Sequence, residues 1–363
     1  MNEDKKRVLI IAANDMGKSG VPSVYMSIVR NLSDQYIFDI VITRENYFYG
    51  EEFLKYGGKI YLIKDKDYKN KIKRIWWRLF NKNRFIRKEL QKSLSNNRYE
   101  ILHSFKESES SVFFKYGIKQ GIKKRILHIN RVYESYNNPL IKVYSHIQRT
   151  QSIKYATHLI SVSQQSGKSY FHSKSFQVIP NTYDEKKYHY MENNHKDLVL
   201  LQIGTFLPIK NQLFTIEVFS HIAKEIPNAK LHLIGNPFDD GYYKKCIDKI
   251  RKAKLENNII IKDSSFDQGE ILNFISYALL PSLKEGFSLF AVEMQACGIP
   301  VFASNGVPKD VDAGGLFYMD LDIYKWKEAI LNEFYISKNR RLKYDMENFS
   351  NIKYHSNYIN LYK

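Results

Sequence analysis

The sequence predicts two α/β domains in series, each a doubly wound parallel sheet covered by helices on both faces. Three observations carry this. Short apolar runs alternate with helical stretches along the whole chain. The alternation stops once, at a polar stretch near residues 185–195, and then restarts. The 363 residues are about twice a common domain size.

In the first half, RVLIIAA (7–13) reads as a buried strand, followed by the loop NDMGKSGVPS and the helical VYMSIVRNL. FDIVIT, KIYLI, EILHSF, RILHI, ATHLISVS and FQVIPN follow as further short strands, because each is an apolar run bounded by polar or turn residues. After EKKYHYMENNHKD the pattern restarts with LVLLQIG, AKLHLIG, NIIIKD, YALLPSL and PVFAS as strands. NQLFTIEVFSHIAKEI and YYKKCIDKIRKAKL are the clearest helices between them. The predicted domains are 1–185 and 186–340, with 341–363 as a tail that returns to pack on the first. Sheets of this kind take ligands at the carboxyl ends of their strands, where the winding reverses.

Composition excludes several classes. No window approaches eighteen apolar residues, so no transmembrane helix is expected. The opening MNEDKKRVLIIAAND has only six apolar residues before polar ones return, fewer than a secretion signal needs. Cys246 and Cys297 are the only cysteines and read as packed, reduced thiols of a cytoplasmic protein. No HExxH, CxxC or other metal-ligand spacing occurs, so no metal is expected. The glycine spacing also fails the dinucleotide fingerprint. The net charge of +18 lies wholly in residues 1–180, which hold 33 Lys and Arg against 15 Asp and Glu; residues 181–363 hold 23 of each. That asymmetry points the first half toward an anionic surface or ligand. A nucleic-acid partner is not expected, since no recognised binding signature accompanies the charge.

The stretch LLPSLKEGFSLFAVEMQACGIP (279–300) is the most informative. A buried strand leads through Gly286 into a helix that Gly298 and Pro300 stop. The free N–H groups at such a helix start favour an anion. Two carboxylates, Glu285 at the rim and Glu293 about one turn into the helix, suit hydroxyl groups attached to that anion.

This block resembles glycosyltransferase family 4, whose retaining enzymes have the GT-B fold: two Rossmann-like domains facing a central cleft. EGFSLFAVE fits the family's E-x7-E signature. VIPNTYD is similar to its interdomain I-P-N-G-x-D, with Thr182 in place of Gly, and Lys210–Asn211 matches its Lys-Asn pair. GVPKDVD and the tail FSNIKYHSNYINLY resemble the subgroup that builds capsules and exopolysaccharides.

The resemblance implies an acceptor-side first domain and a second domain that binds a nucleotide-sugar, expected to be a UDP-sugar, with no cofactor and no metal. Glu293 would hold the ribose hydroxyls and Glu285 the transferred sugar. The backbone of Gly286, Phe287, Ser288 and Leu289 would meet the diphosphate, and Lys210 would neutralise it as it departs. Thr205 stands where the family usually has an arginine, which removes one positive charge. Gly20, in GKSGVPS beside Ser19, would bring the first domain to the donor phosphate. His128, closing RILHI, matches a histidine near the transferred sugar, and His103 is a lesser candidate. A glycan acceptor, lipid-linked in one reading, is the implied second substrate, and a catalytically degenerate partner subunit is the competing expectation. Paired carboxylates also occur in glycoside hydrolases, but here they stand beside an anion-binding helix start.

KNKIKRIWWRLFNKNRFIRKELQK (69–92) is strongly basic, with Ile72, Trp76, Leu79, Ile86 and Leu90 able to line one helical face. Cations beside tryptophans read as a helix on an anionic membrane surface, which would place the protein peripherally at the inner face of the cell membrane; an amphipathic helix packed on the sheet is an equal and compatible reading.

Overall fold

The computed structural model describes residues 5–18, 20–64, 66, 68–94, 97–134, 136, 138–193, 196–337 and 340–363. The chain divides into two compact units, residues 1–181 with 352–363, and residues 182–351. Residues 341–351 thus go with the second unit, and 182–185 lie in it too.

The first unit is built on a parallel sheet of seven strands among the described residues: β1 (Lys6–Ile11), β2 (Tyr36–Ile42), β3 (Ile60–Leu62), β4 (Ile101–Ser104), β5 (Lys124–Ile129), β6 (His158–Ser161) and β7 (Gln177–Val178). Their order is β3-β2-β1-β4-β5-β6-β7. Strands buried on both faces need continuous rather than alternating apolar character, and Val8, Leu9, Ile10 and Ile11 are all buried. Val8 and Ile10 face a core shared with the helix Gly20–Leu32, while Leu9 and Ile11 face one shared with the helix Lys82–Leu94. The helix Asn351–Tyr362 packs into the first of these cores through Tyr354, Tyr358 and Tyr362, four residues apart on one face.

Among the described residues the second unit has six strands: β8 (Val199–Ile203), β9 (Lys230–Ile234), β10 (Ile259–Lys262), β11 (Tyr277–Leu280), β12 (Val301–Ser304) and β13 (Leu316–Met319). Their order, β10-β9-β8-β11-β12-β13, is the doubly wound arrangement whose switch point lies between the first and fourth strands. The architecture is α/β with two Rossmann-like parallel sheets. Among the described residues no helix is long and apolar enough to cross a membrane. Cys246 and Cys297 are both buried.

Several elements escape the sequence reading. The strand β13 has no counterpart among the expected strands, and several helices, of which Pro139–Tyr155 and Ile323–Ser337 are the longest, lie in stretches assigned no element. One expectation is corrected. Ile86 and Leu90 are buried, but Ile72 and Trp76 are exposed, so the five residues do not line one face. The reason is a π-helical turn, Trp77–Asn81, between the helices Lys71–Trp76 and Lys82–Leu94. It closes i→i+5 bonds and so shifts the face that a period of 3.6 would continue.

Candidate functional site

At the switch point of the second sheet, the loops after β8 and β11 meet. The chain leaves β8 through Gly204 and a 3₁₀ turn, Pro208–Lys210. Asn211 then takes a left-handed conformation (φ 57°) that asparagine tolerates better than most residues. The turn folds the Lys210 side chain back over Gly204, whose added Cβ would lie 3.5 Å from Lys210 Cδ. Lys210 Nζ reaches Glu285 Oε1 at 2.6 Å, and Ser282 Oγ donates to the same oxygen at 2.7 Å. Gln202 Nε2 donates to the Lys210 carbonyl at 2.7 Å, and Gln212 Nε2 donates to the carbonyls of Gly204 and Thr205. These amides hold the loop's shape, so the cation is presented rather than left to roam.

The other wall comes from β11 and β12. Glu285 N–H donates to the Gly306 carbonyl at 3.0 Å, and a Cβ at Gly306 would lie 2.4 Å from the Leu283 oxygen. Only glycine admits that approach. The helix Leu289–Ala296 starts here, N-capped by Ser288, whose hydroxyl accepts from the Ala291 N–H at 3.3 Å. Gly298, at φ 77°, ends it in the left-handed conformation usual after a helix. Glu293 lies within this helix. Burial raises its carboxyl pKa to about 7, with Lys187 pulling down and Asp184 pushing up. Asp184 belongs to VIPNTYD, so that motif and the helix form one electrostatic neighbourhood. Thr182, the departure from glycine in that motif, places its hydroxyl 2.7 Å from the Phe349 carbonyl.

The first unit has its own feature at its switch point, between β1 and β4. Lys106, after β4, donates to the Ala13 carbonyl, Asn14 Oδ1 and Thr43 Oγ1 at 2.5, 3.0 and 2.9 Å. Beside it lies a cavity of about 320 Å³ whose lining includes Asp15, Arg78, Glu107, Glu109, Asn130 and Arg131. Burial raises the Glu109 pKa, but Lys106, Lys82 and Arg78 outweigh it and hold the carboxyl down at about 2. Glu107 takes both Arg131 nitrogens, at 2.6 and 3.0 Å, from a left-handed backbone (φ 52°) that costs about 1–3 kcal/mol in a non-glycine residue. Both polar atoms of the Asn130 amide are buried without a partner among the described residues. Interleaved donors and acceptors of this kind suit a ligand with several hydroxyl groups.

The family description "Glycosyl transferases group 1" matches residues 185–311. The "Putative glycosyltransferase EpsF" of Bacillus subtilis (strain 168) is similar at 21% identity over 86% of this chain and 83% of its own. "Protein CapJ" of Staphylococcus aureus is 28% identical over 55% of this chain and 52% of its own. Among solved structures, Anabaena Alr3699/HepE in complex with UDP superposes with a TM-score of 0.78 at 13% identity, covering 98% of each chain, which is a likeness of fold.

The matched stretch brings Lys210 and Glu285 into contact and puts Gly286, Phe287 and Ser288 between Glu285 and the helix that Leu289 opens and that carries Glu293. Phe287 is buried against Phe349. Thr205 sits on the same loop as Lys210, its carbonyl held by Gln212. In the first unit, Gly20 opens its helix with nothing within 4 Å of an added Cβ, and Ser19 lies outside the described residues. The glycine under steric demand there is Gly17, where a Cβ would meet Asn46 Nδ2 at 2.3 Å. His128 is fully buried, its Nδ1 3.2 Å from His103 Nε2, and its Nε2 has no partner among the described residues. His103 Nδ1 in turn meets Tyr362 Oη at 2.8 Å. Both histidines therefore lie in the core beneath the tail helix rather than in the lining of the first unit's cavity. Sequence reasoning missed the Lys106–Glu109–Arg131 cluster. Its only linear signal was a lysine closing the strand EILHSF and the acidic KESES that follows.

Proposed function

We propose that this chain is a retaining, metal-independent glycosyltransferase that moves a hexosyl or related sugar from a UDP-sugar to a growing cell-surface glycan, such as a capsule or exopolysaccharide. The observation that carries the reading is the Lys210–Glu285 pair at the switch point of the second sheet, beside the N-terminus of the helix holding Glu293. As the glycosidic bond to the diphosphate breaks, negative charge grows on the leaving oxygen, and the Lys210 ammonium with the helix N-terminus stabilises it. Glu285 accepts from the sugar's hydroxyls, and Glu293, once ionised, accepts from the ribose diol. The leaving diphosphate takes the proton of the attacking acceptor hydroxyl on the same face, which retains configuration. The first unit's hydroxyl-suited cavity takes the acceptor, lipid-linked at the inner face of the membrane, where the protein sits peripherally. Likeness to a protein solved with UDP supports the choice of donor base.

Thr205, where an arginine is usual, favours a second reading: a catalytically degenerate partner subunit of such an assembly. Calorimetric titration of the purified chain with UDP and with other nucleoside diphosphates, followed by release of UDP from UDP-sugars with a glycan acceptor, separates the two. Binding with turnover supports transfer, binding without turnover supports the degenerate partner, and no binding removes both.

A further inference from the structure

One helical rod in the first unit carries two unlike surfaces in line. Ile72, Trp76 and Phe80 follow at four-residue steps, 68%, 60% and 62% exposed. The rings of the last two lie 4.7 Å apart. Further along, Arg84, Arg87 and Lys88 are exposed and, with Gln91, Tyr116 and Lys119, line a cavity of about 260 Å³. Four cations line it, and no carboxylate is among its described lining residues.

Four ammonium and guanidinium groups around one hollow repel each other unless an anion sits among them. A soluble anion would need nothing more. The exposed aromatic and aliphatic side chains on the preceding turns ask for a partner that is apolar beside its charge, and an anionic bilayer offers both within one layer's depth. Arg78 and Lys82, also on this rod, are turned to other work: Arg78 Nη2 donates to Tyr136 Oη at 2.8 Å, and Lys82 pairs with Glu109 at 2.8 Å.

We propose that this rod docks the protein on anionic phospholipid. Ile72, Trp76 and Phe80 enter the interfacial layer, and the hollow of Arg84, Arg87, Lys88 and Lys119 takes a headgroup phosphate. This deepens the membrane part of the reading above.

The test is co-sedimentation of the full chain with phosphatidylcholine vesicles, with and without phosphatidylglycerol, at low and high salt. The parent should bind only the anionic vesicles, less so at high salt. Each cation at such a surface contributes about fivefold. The variant R84Q/R87Q/K88Q/K119Q should therefore lose more than about tenfold in partitioning. W76S/F80S should lose a comparable amount, along with the blue shift of tryptophan fluorescence on binding. Both variants change exposed side chains, and an unchanged circular-dichroism melt verifies folding. UDP titration of the same proteins keeps the two readings apart: normal UDP binding without vesicle binding sinks the docking face alone. Vesicle binding that ignores lipid charge overturns the proposal, as does parent-like binding by either variant. Glycerol phosphate or inorganic phosphate binding in the hollow without vesicle binding also overturns it. So does a dimer, seen by sedimentation velocity, that W76S/F80S abolishes.

Discussion

Lys210 Nζ lies 2.6 Å from Glu285 Oε1, so an ion pair joins the loops that leave β8 and β11. Neither partner is fully exposed, and Ser282 shares the carboxylate. An ammonium has three donors, so Lys210 can keep this contact and still offer protons to a diphosphate.

Lys210→Ala and Glu285→Gln should therefore differ. Removing a charge-assisted contact to a bound ligand costs roughly 1.5–3 kcal/mol, so Lys210→Ala should weaken UDP binding by more than tenfold. Glu285→Gln should bind UDP at close to the parent's affinity and lose sugar transfer. Calorimetry gives the first quantity and UDP release the second; equal UDP affinity in the parent and the lysine variant would remove Lys210 from the donor site.

Thr205→Arg should tighten UDP binding, because it restores a cation on the loop that carries Lys210. An unchanged dissociation constant would mean that another cation already meets the diphosphate.

Glu293 makes donor binding depend on pH. Its folded carboxyl is raised by burial to about 7 from an ordinary carboxylate value, whereas accepting from a diol favours the ionised form. UDP affinity should rise from pH 6 to pH 8, with proton release visible as a buffer-dependent enthalpy. Glu293→Ala should weaken binding and flatten that rise. The same shift acts on stability. A carboxyl whose folded pKa is raised binds more protons folded than unfolded, so stability falls as pH rises through that window up to about 7. Glu293→Gln should thus melt above the parent at pH 8 and level with it at pH 4.

The buried histidines give the opposite trend. Burial depresses both, His128 to about 3, and His128 lowers His103 further. The folded protein then binds fewer protons than the unfolded chain between about pH 6.5 and about 3, so stability falls as pH drops through that range. The melting temperature of Glu293→Gln, which lacks the competing carboxyl, should fall from pH 7.5 to pH 5. Adding His128→Leu should shrink the fall. A flat profile in the single variant would show that the histidines titrate normally.

The legible parts of the fold were those with local signals. Strands buried on both faces announce themselves as apolar runs, which is why twelve of the thirteen observed strands appear in the reading of the sequence. The strand Leu316–Met319 is half-buried and follows two glycines, so its run is short and broken. The helix Pro139–Tyr155 buries only polar and charged residues, Ser145, Gln148, Arg149 and Ser152, and so has no apolar stripe to read. In the site, 279–300 and Lys210 were readable because a strand, a turn and a helix follow in sequence. The cluster at the first switch point draws Asp15, Arg78, Lys106, Glu109 and Arg131 from four separate connections, and no spacing rule joins them. The π-helical turn is invisible for another reason: its sequence, WRLFN, is acceptable to an ordinary helix.

The tail helix makes the first unit discontinuous in the chain. Residues 1–181 leave a ribosome without the tyrosines that complete their core, and Tyr354, Tyr358 and Tyr362 follow only after all of 182–351 has been made. His103, on an inner strand, waits 259 positions for the hydroxyl that partners its Nδ1. The second unit, by contrast, is one uninterrupted stretch and can close as soon as it emerges. Order of birth and order of completion are therefore reversed: the unit synthesised first is the one finished last.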